Sequence, residues 1–355
     1  MISDESQLEY FKKIANDNFS VLIKEDYGSG GIERLTILTE KIAKIYKHLN
    51  FLSFERIIIF TALDQGLSLD KVAGSNCNKC HSINNLTQIH GTEITIEVTE
   101  NLELLISVNF IPSLDLLRSN AVVYERHQTV ETILGKIQQR TLREIPNTDS
   151  YFAIKTYKEL DIALEDYKVI VARYSDSCSE LRNVWLDSNK IFFKPRPESK
   201  LRDSLIFFLK IRLRNTEVRP EQVVDASHPV DIKITWEYTT YLALIEIKWL
   251  GKSLMSIGGG TFNQIYSHSR ALEGANQLVD YLDKNKIQAP QKITKGYLVV
   301  FDARRWGTNT NTEKLTKAQG FRYENNEINY NPDYSQIRSD FARPVRFFME
   351  PKCID

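Results

Sequence analysis

With 355 residues, 42% of them apolar and 26% charged, the chain has the composition of a globular protein that buries a sizeable core in two ordinary domains, which excludes disorder as the starting assumption. The 46 basic and 46 acidic residues cancel, so net charge points neither toward nucleic acid nor away from it. No apolar run approaches the roughly 18 residues of a membrane span, and Met1 to Asn18 is mixed and acidic rather than a basic stretch leading into an apolar signal core, so a cytoplasmic protein without a membrane is expected.

In chain order, Ile32 to Leu49 predicts a helix, because Leu35, Leu38, Ile42, Ile45 and Tyr46 recur at helical spacing. Cys77-Asn78-Lys79-Cys80-His81, with His90 further on, has the ligand types and first spacing of a zinc site; Cys77, Cys80 and His90 would be three ligands, with His81 or a distant residue as the fourth. No second CxxC or HxxxH follows, and two reduced cysteines in a polar loop are the plainer reading. The same string would also suit a c-type haem, but that needs an export signal. Glu93 to Phe110 predicts two strands, Thr129 to Ile145 a helix, and Tyr157 to Trp185 one long helix with an imperfect apolar stripe. Pro195 and Pro197 then interrupt any helix. That break places a boundary between a mixed α/β N-terminal domain, 1–193, and a second domain, 194–355. The second domain predicts a helix (Glu198 to Leu213), a strand (Val218 to Val224), a hairpin (Val230 to Leu250), a glycine-rich loop at Gly258 to Gly260, a helix (Ala271 to Lys284) and a strand ending at Asp302. The order gives a sheet flanked by helices, and the chain as a whole an α/β or α+β class.

The hairpin carries the chemistry. Asp231 to Trp236 alternates polar and apolar, Glu237 to Thr240 is a polar turn, and Glu246 and Lys248 leave the same face of the returning strand. A turn centred near Tyr238 and Thr239 sets Asp231 opposite Glu246 or its immediate neighbours. Two close carboxylates repel each other and favour a divalent cation, for which oxygen ligands suit Mg²⁺ or Mn²⁺. A lysine beside them can hold a water or stabilise developing negative charge, which together equips the site for metal-assisted phosphodiester hydrolysis. The bland alternative is a hairpin with a solvated cross-strand salt bridge.

With Pro229-Val230-Asp231 standing for a first motif, one residue inserted between proline and aspartate, and Glu246-Ile247-Lys248 for the second, the chain resembles the PD-(D/E)xK, or restriction-endonuclease-like, nuclease superfamily. Gln277 and Tyr281 match the QxxxY helix of one branch, and Glu198 stands where many members carry an acidic residue that assists metal binding; Glu221 competes for that part. The resemblance covers about a third of the chain. It implies Asp231, Glu246, Lys248 and Gln277 as catalytic residues, Asp231, Glu246 and Glu198 as metal ligands, and a restriction-endonuclease-like mixed sheet. It also implies a deoxyribonuclease, endonuclease before exonuclease, in bacterial restriction or anti-phage defence, restrained by a partner protein, a ligand or homo-oligomerisation. The alternative is a DNA-binding or assembly subunit that keeps the fold with little activity. Nine basic residues between Lys190 and Arg219 (Lys190, Lys194, Arg196, Lys200, Arg202, Lys210, Arg212, Arg214, Arg219) form a stripe able to follow a DNA backbone or to be a solvated face. His228, beside the motif aspartate, is expected to be a neighbour rather than a base.

Overall fold

The computed structural model describes residues 4–142, 149–223 and 229–354, and the chain is a mixed α/β protein with two mixed sheets flanked by helices. It divides into two compact units, one of Met1–Lys158 with Tyr238–Tyr241 and Pro290–Ile293, the other of Glu159–Glu237, Leu242–Ala289 and Thr294–Asp355. The division falls at 158/159 rather than at the proline break, so 159–193 goes with the second unit instead of the N-terminal one. The reason is packing: Tyr167 sets its ring against Phe208, Phe301 and Phe347, all in the second unit. Among the described residues no helix is long and apolar enough to cross a membrane.

In the first unit the helix α1 (Asp4–Tyr46), kinked at Gly28 with φ 69, precedes the strands β1 (Arg56–Ala62), β2 (Cys77–Cys80), β3 (Glu93–Val98), β4 (Leu104–Val108), β5 (Ala121–His127), β6 (Val130–Leu134) and β7 (Gln139–Thr141). They form one sheet in the order β2-β4-β3-β1-β5-β6-β7. Alternation along β1 builds two cores. Ile57 and Ile59 meet Leu35, Leu38, Ile42 and Tyr46 of α1 on one face, while Ile58 and Phe60 meet Leu69 of α2 (Leu69–Ala73) and Leu117 of α3 (Leu114–Asn120) on the other. The helix expected over Thr129 to Ile145 is instead the β6–β7 hairpin, as far as the described residues reach. Val130, Thr132, Ile133 and Thr141 are β-branched and find ladder partners, Thr132 opposite Thr141 among them.

The long helix expected over Tyr157 to Trp185 is also divided. It runs as α4 (Tyr157–Tyr167), takes one π turn through Lys168–Ala172, stops at Ser175 with φ 52, and resumes as α5 (Ser179–Arg182). The β-branched run Val169-Ile170-Val171 disfavours regular helix, and Val169 and Ile170 are exposed, so the apolar stripe is not one buried face. The second unit continues with α6 (Glu198–Arg212), β8 (Thr216–Val223), β9 (Pro229–Trp236), β10 (Tyr241–Ser253), β11 (Gln264–Tyr266), α7 (His268–Gln288), β12 (Ile293–Asp302) and β13 (Val345–Phe348). The sheet order is β13-β12-β10-β9-β8, with β11 on the far end of β10. Leu242, Leu244 and Leu250 of β10 and Leu298 and Val300 of β12 pack against Ala271, Ala275, Leu278 and Leu282 of α7.

Candidate active site

The register of the β9–β10 hairpin, Ile232 opposite Ile245 and Ile234 opposite Ala243, brings Asp231, the next residue outward on β9, beside the Glu246–Ile247 segment. The turn centred on Tyr238 that produces this register is fixed within the first unit, where the Tyr241 hydroxyl donates to the carbonyls of Tyr46 (3.1 Å) and Leu49 (3.0 Å). Alternation on β10 then turns Glu246 and Lys248 toward the α7 side that Leu242 and Leu244 also face. Both are 3% exposed, which rules out the solvated surface salt bridge. Lys248 Nζ donates to Glu246 Oε1. Asp231 Oδ2 accepts from the Ile247 backbone N–H at 2.8 Å, which locks its carboxylate beside the second strand.

The polar accounting at this point does not close. Glu246 Oε2 and Gln277 Oε1 are both buried and neither has a hydrogen-bond partner. An orphaned buried acceptor of this kind costs about 1–3 kcal/mol, more for a charged group, so the place is suited to a water or a cation that would complete it. Burial, and next the nearby Asp231 carboxylate, push the Glu246 carboxyl up to about 8, against the pull of Lys248. Burial likewise lifts Asp231 to about 6, opposed by the Ile247 N–H and reinforced by Glu198. Two carboxyls raised together by dehydration, Glu246 also by Asp231 and both by Glu198, hold protons that a cation can displace.

Glu198, at the first turn of α6, acts on this pair through its field, since it raises both carboxyls. Among the described residues no three His, Cys, Asp or Glu side chains gather closely enough to hold a metal ion by themselves, so Glu198 does not join Asp231 and Glu246 as a third direct ligand in this geometry. Two carboxylates fit Mg²⁺ or Mn²⁺, which retain waters and take further ligands from substrate phosphates. Gln277 lies on α7 between two positions that reach the site: Gly274, against the Lys248 side chain, and Tyr281, whose hydroxyl donates to Pro229 O at 3.4 Å. The Glu221 side chain and His228 lie outside the described residues.

Sequence reasoning missed one neighbour. Arg202, counted only as part of the basic stripe, stands one helical turn after Glu198 and brings Nη1 to 3.8 Å from Asp231 Oδ1 with its side chain 13% exposed. Its i,i+4 relation to Glu198 was the available signal. Lys190 leaves the stripe altogether: it is buried and donates to Asp176 Oδ2 at 2.8 Å and to Tyr174 O. Arg212 pairs with Asp166 at 2.7 Å and Arg219 with Glu217, whereas Lys194, Arg196, Lys200 and Lys210 are exposed.

The zinc site is not formed. Cys77 and Cys80 are three residues apart on a strand, so their side chains leave opposite faces of the sheet. Cys77 packs in the core with Ile58 and Phe60, and Cys80 in the one with Ile57 and Ile59, where its Sγ donates to Ser82 O at 3.1 Å.

The chain matches no protein-family model, no curated protein and no solved structure.

Proposed function

We propose that the second unit is a metal-dependent nuclease of the PD-(D/E)xK kind, hydrolysing DNA phosphodiester bonds, with Asp231 and Glu246 as metal ligands and Lys248 and Gln277 as their catalytic partners. The observation that carries this reading is the pair of buried Glu246 and half-buried Asp231 carboxylates, in which Glu246 Oε2 has no partner although a lysine is already bound to the other oxygen. A structural ion pair would be stronger with every acceptor filled, and a cation-binding pair requires one left open. The choice of DNA follows from the motif resemblance, as does a place in restriction or anti-phage defence with restraint by a partner protein or by self-association.

The residues divide the work by position. Asp231, held by the Ile247 N–H and with its other oxygen 3.8 Å from Arg202 Nη1, and Glu246, with Oε2 unpartnered, are the residues that would hold a divalent ion. Such an ion would supply Lewis-acid stabilisation of charge on the phosphodiester. Lys248 keeps an ammonium within reach of Glu246, where it can orient a water or meet the negative charge that develops on the phosphate oxygens. Gln277 brings a buried amide able to bind a water or a ligand oxygen.

The test is incubation of the wild type and a Glu246→Ala/Lys248→Ala variant with supercoiled and linear DNA, in Mg²⁺, in Mn²⁺ and in EDTA. Cutting by the wild type alone, abolished by EDTA, is expected, and nicked circles would identify an endonuclease. Equal cutting by both proteins would overturn the site. DNA binding with no cutting by either under any cation would replace the enzyme with a binding subunit.

A further inference from the structure

We infer that Gly274 is the positioning residue for Lys248: the bare backbone of α7 at this point is the seat on which the lysine side chain lies, and it is what holds the ammonium at Glu246. This rests on the nuclease reading for its consequence in catalysis, though not for its geometry.

Gly274 stands in the interior of a 21-residue helix. Glycine there costs helix stability relative to alanine, and α7 does not need its conformational freedom, since Gly274 is not among the glycines with positive φ. Its reason lies in the space beside it. A Cβ at this position would come within 2.6 Å of Lys248 Cγ, 3.1 Å of Lys248 Cε and 3.0 Å of Leu298 Cδ1, where carbon atoms in contact stand about 3.5–4.0 Å apart. The Cγ clash decides the matter. A clash at Nζ would be relieved by swinging the end of the chain, but Cγ is one bond beyond Cβ and moves only when the whole side chain changes rotamer. Lys248 is 3% exposed and enclosed by the sheet and α7, so a new rotamer takes the ammonium away from Glu246 Oε1.

Gly296 supplies the contrast. A Cβ there would meet Leu282 Cδ1 at 2.8 Å and Leu278 at 3.1 Å, apolar atoms only, so the close approach at Gly296 belongs to core packing. The close approach at Gly274 falls on the buried lysine of the site.

Two measurements separate seating from ordinary packing. In DNA cleavage, Gly274→Ala is expected to lower kcat about 10²-fold, the effect of a misplacement near 1 Å, with KM for DNA within threefold of the wild type. Adding Leu298→Val removes the clash with leucine and is expected to leave kcat low; recovery of kcat in that double variant, or an unchanged kcat in the single one, would overturn the proposal. In thermal unfolding without metal or DNA, Gly274→Ala is expected to lower Tm when made in the Leu298→Val protein. Made in the Leu298→Val/Lys248→Ala protein it is expected to leave Tm unchanged or raise it, because the obstructed side chain is gone. An equal fall in both backgrounds would overturn the seat. If the wild type cuts no DNA with Mg²⁺ or Mn²⁺, the nuclease reading fails by itself, and the unfolding cycle still decides the role of Gly274.

Discussion

The first unit buries Glu97 and Glu131 and the second buries Glu246, and Glu131 and Glu246 are treated in opposite ways. Glu131 in the first unit is 5% exposed and fully served: one carboxylate oxygen takes the Tyr124 and Ser150 hydroxyls, the other the Tyr151 backbone N–H at 2.8 Å, and Arg126 stands near. Glu246 in the second unit is 3% exposed and half served, one oxygen on Lys248 and the other on nothing. Asp302, in the same unit as Glu246, follows the first pattern. Burial pushes its carboxyl up, but Arg304 and Arg346 outweigh it and hold it below the usual range. Burial of a carboxylate therefore does not by itself mark a site. What marks it is a desolvated acceptor left open beside a second carboxylate.

The comparison is broken most directly by truncation. Glu246→Ala is expected to reduce metal-dependent cleavage by about 10³-fold or more, as loss of a group that meets the cation does, and also to lower Tm, because it strands the buried Lys248 ammonium. Glu131→Ala is expected to spare cleavage. It strands the Ser150 hydroxyl and the Tyr151 N–H and lowers stability by about 2–4 kcal/mol, read by chemical denaturation, with kcat unchanged in the protein that remains folded. Loss of cleavage in a folded Glu131→Ala protein would dissolve the contrast.

Titration sharpens it. A carboxyl raised on folding contributes stability that is fully present below its unfolded pKa and is lost as pH rises through its folded one. With Asp231 lifted to about 6 and Glu246 to about 8, the metal-free protein is expected to lose stability between about pH 4 and pH 8 from these two groups. Over the same range Mn²⁺ or Mg²⁺ should restore progressively more of it, because the cation replaces protons. Tm against pH, with and without Mn²⁺, reads both, and Glu246→Gln should flatten the metal-free curve. A metal-free Tm that climbs steadily from pH 5 to pH 8 in the wild type, and equally in Glu246→Gln, would contradict the raised carboxyls. The smallest effect is expected at the cysteines. Cys77→Ser/Cys80→Ser should change Tm by only a few degrees, and elemental analysis should find no zinc bound in stoichiometric amount to the wild type.

Much of the second unit was legible in the sequence, for reasons visible in particular residues. Strict alternation from Asp231 to Trp236 and a short polar turn fixed a register, and the register brought Asp231 to Glu246. The spacing of Gln277 and Tyr281 put both on one face of α7. Depth was not legible: nothing in Glu246-Ile247-Lys248 says that the glutamate and lysine are buried, or that Gly274, 26 positions later in the chain, lies under the lysine. The Thr129 to Ile145 segment misled because its few apolar residues fit a helical period, while its β-branched content pointed to strand. Cys77 and Cys80 misled because a CxxC spacing says nothing of the backbone that carries it, and on a strand it separates the thiols. Lys190 shows the limit of reading charge from composition, since a basic residue counted toward a surface stripe is buried against Tyr174 and Asp176.

The open oxygen of Glu246, with Asp231 beside it, is proposed to bind a divalent cation. Mn²⁺ binding to the metal-free protein at pH 8, followed by calorimetry or by loss of the free-ion paramagnetic signal, tests it without assuming a substrate. The account predicts saturable Mn²⁺ binding by the wild type and by Glu131→Gln, abolished in Glu246→Ala. Binding of equal affinity and stoichiometry in the wild type and Glu246→Ala would contradict it.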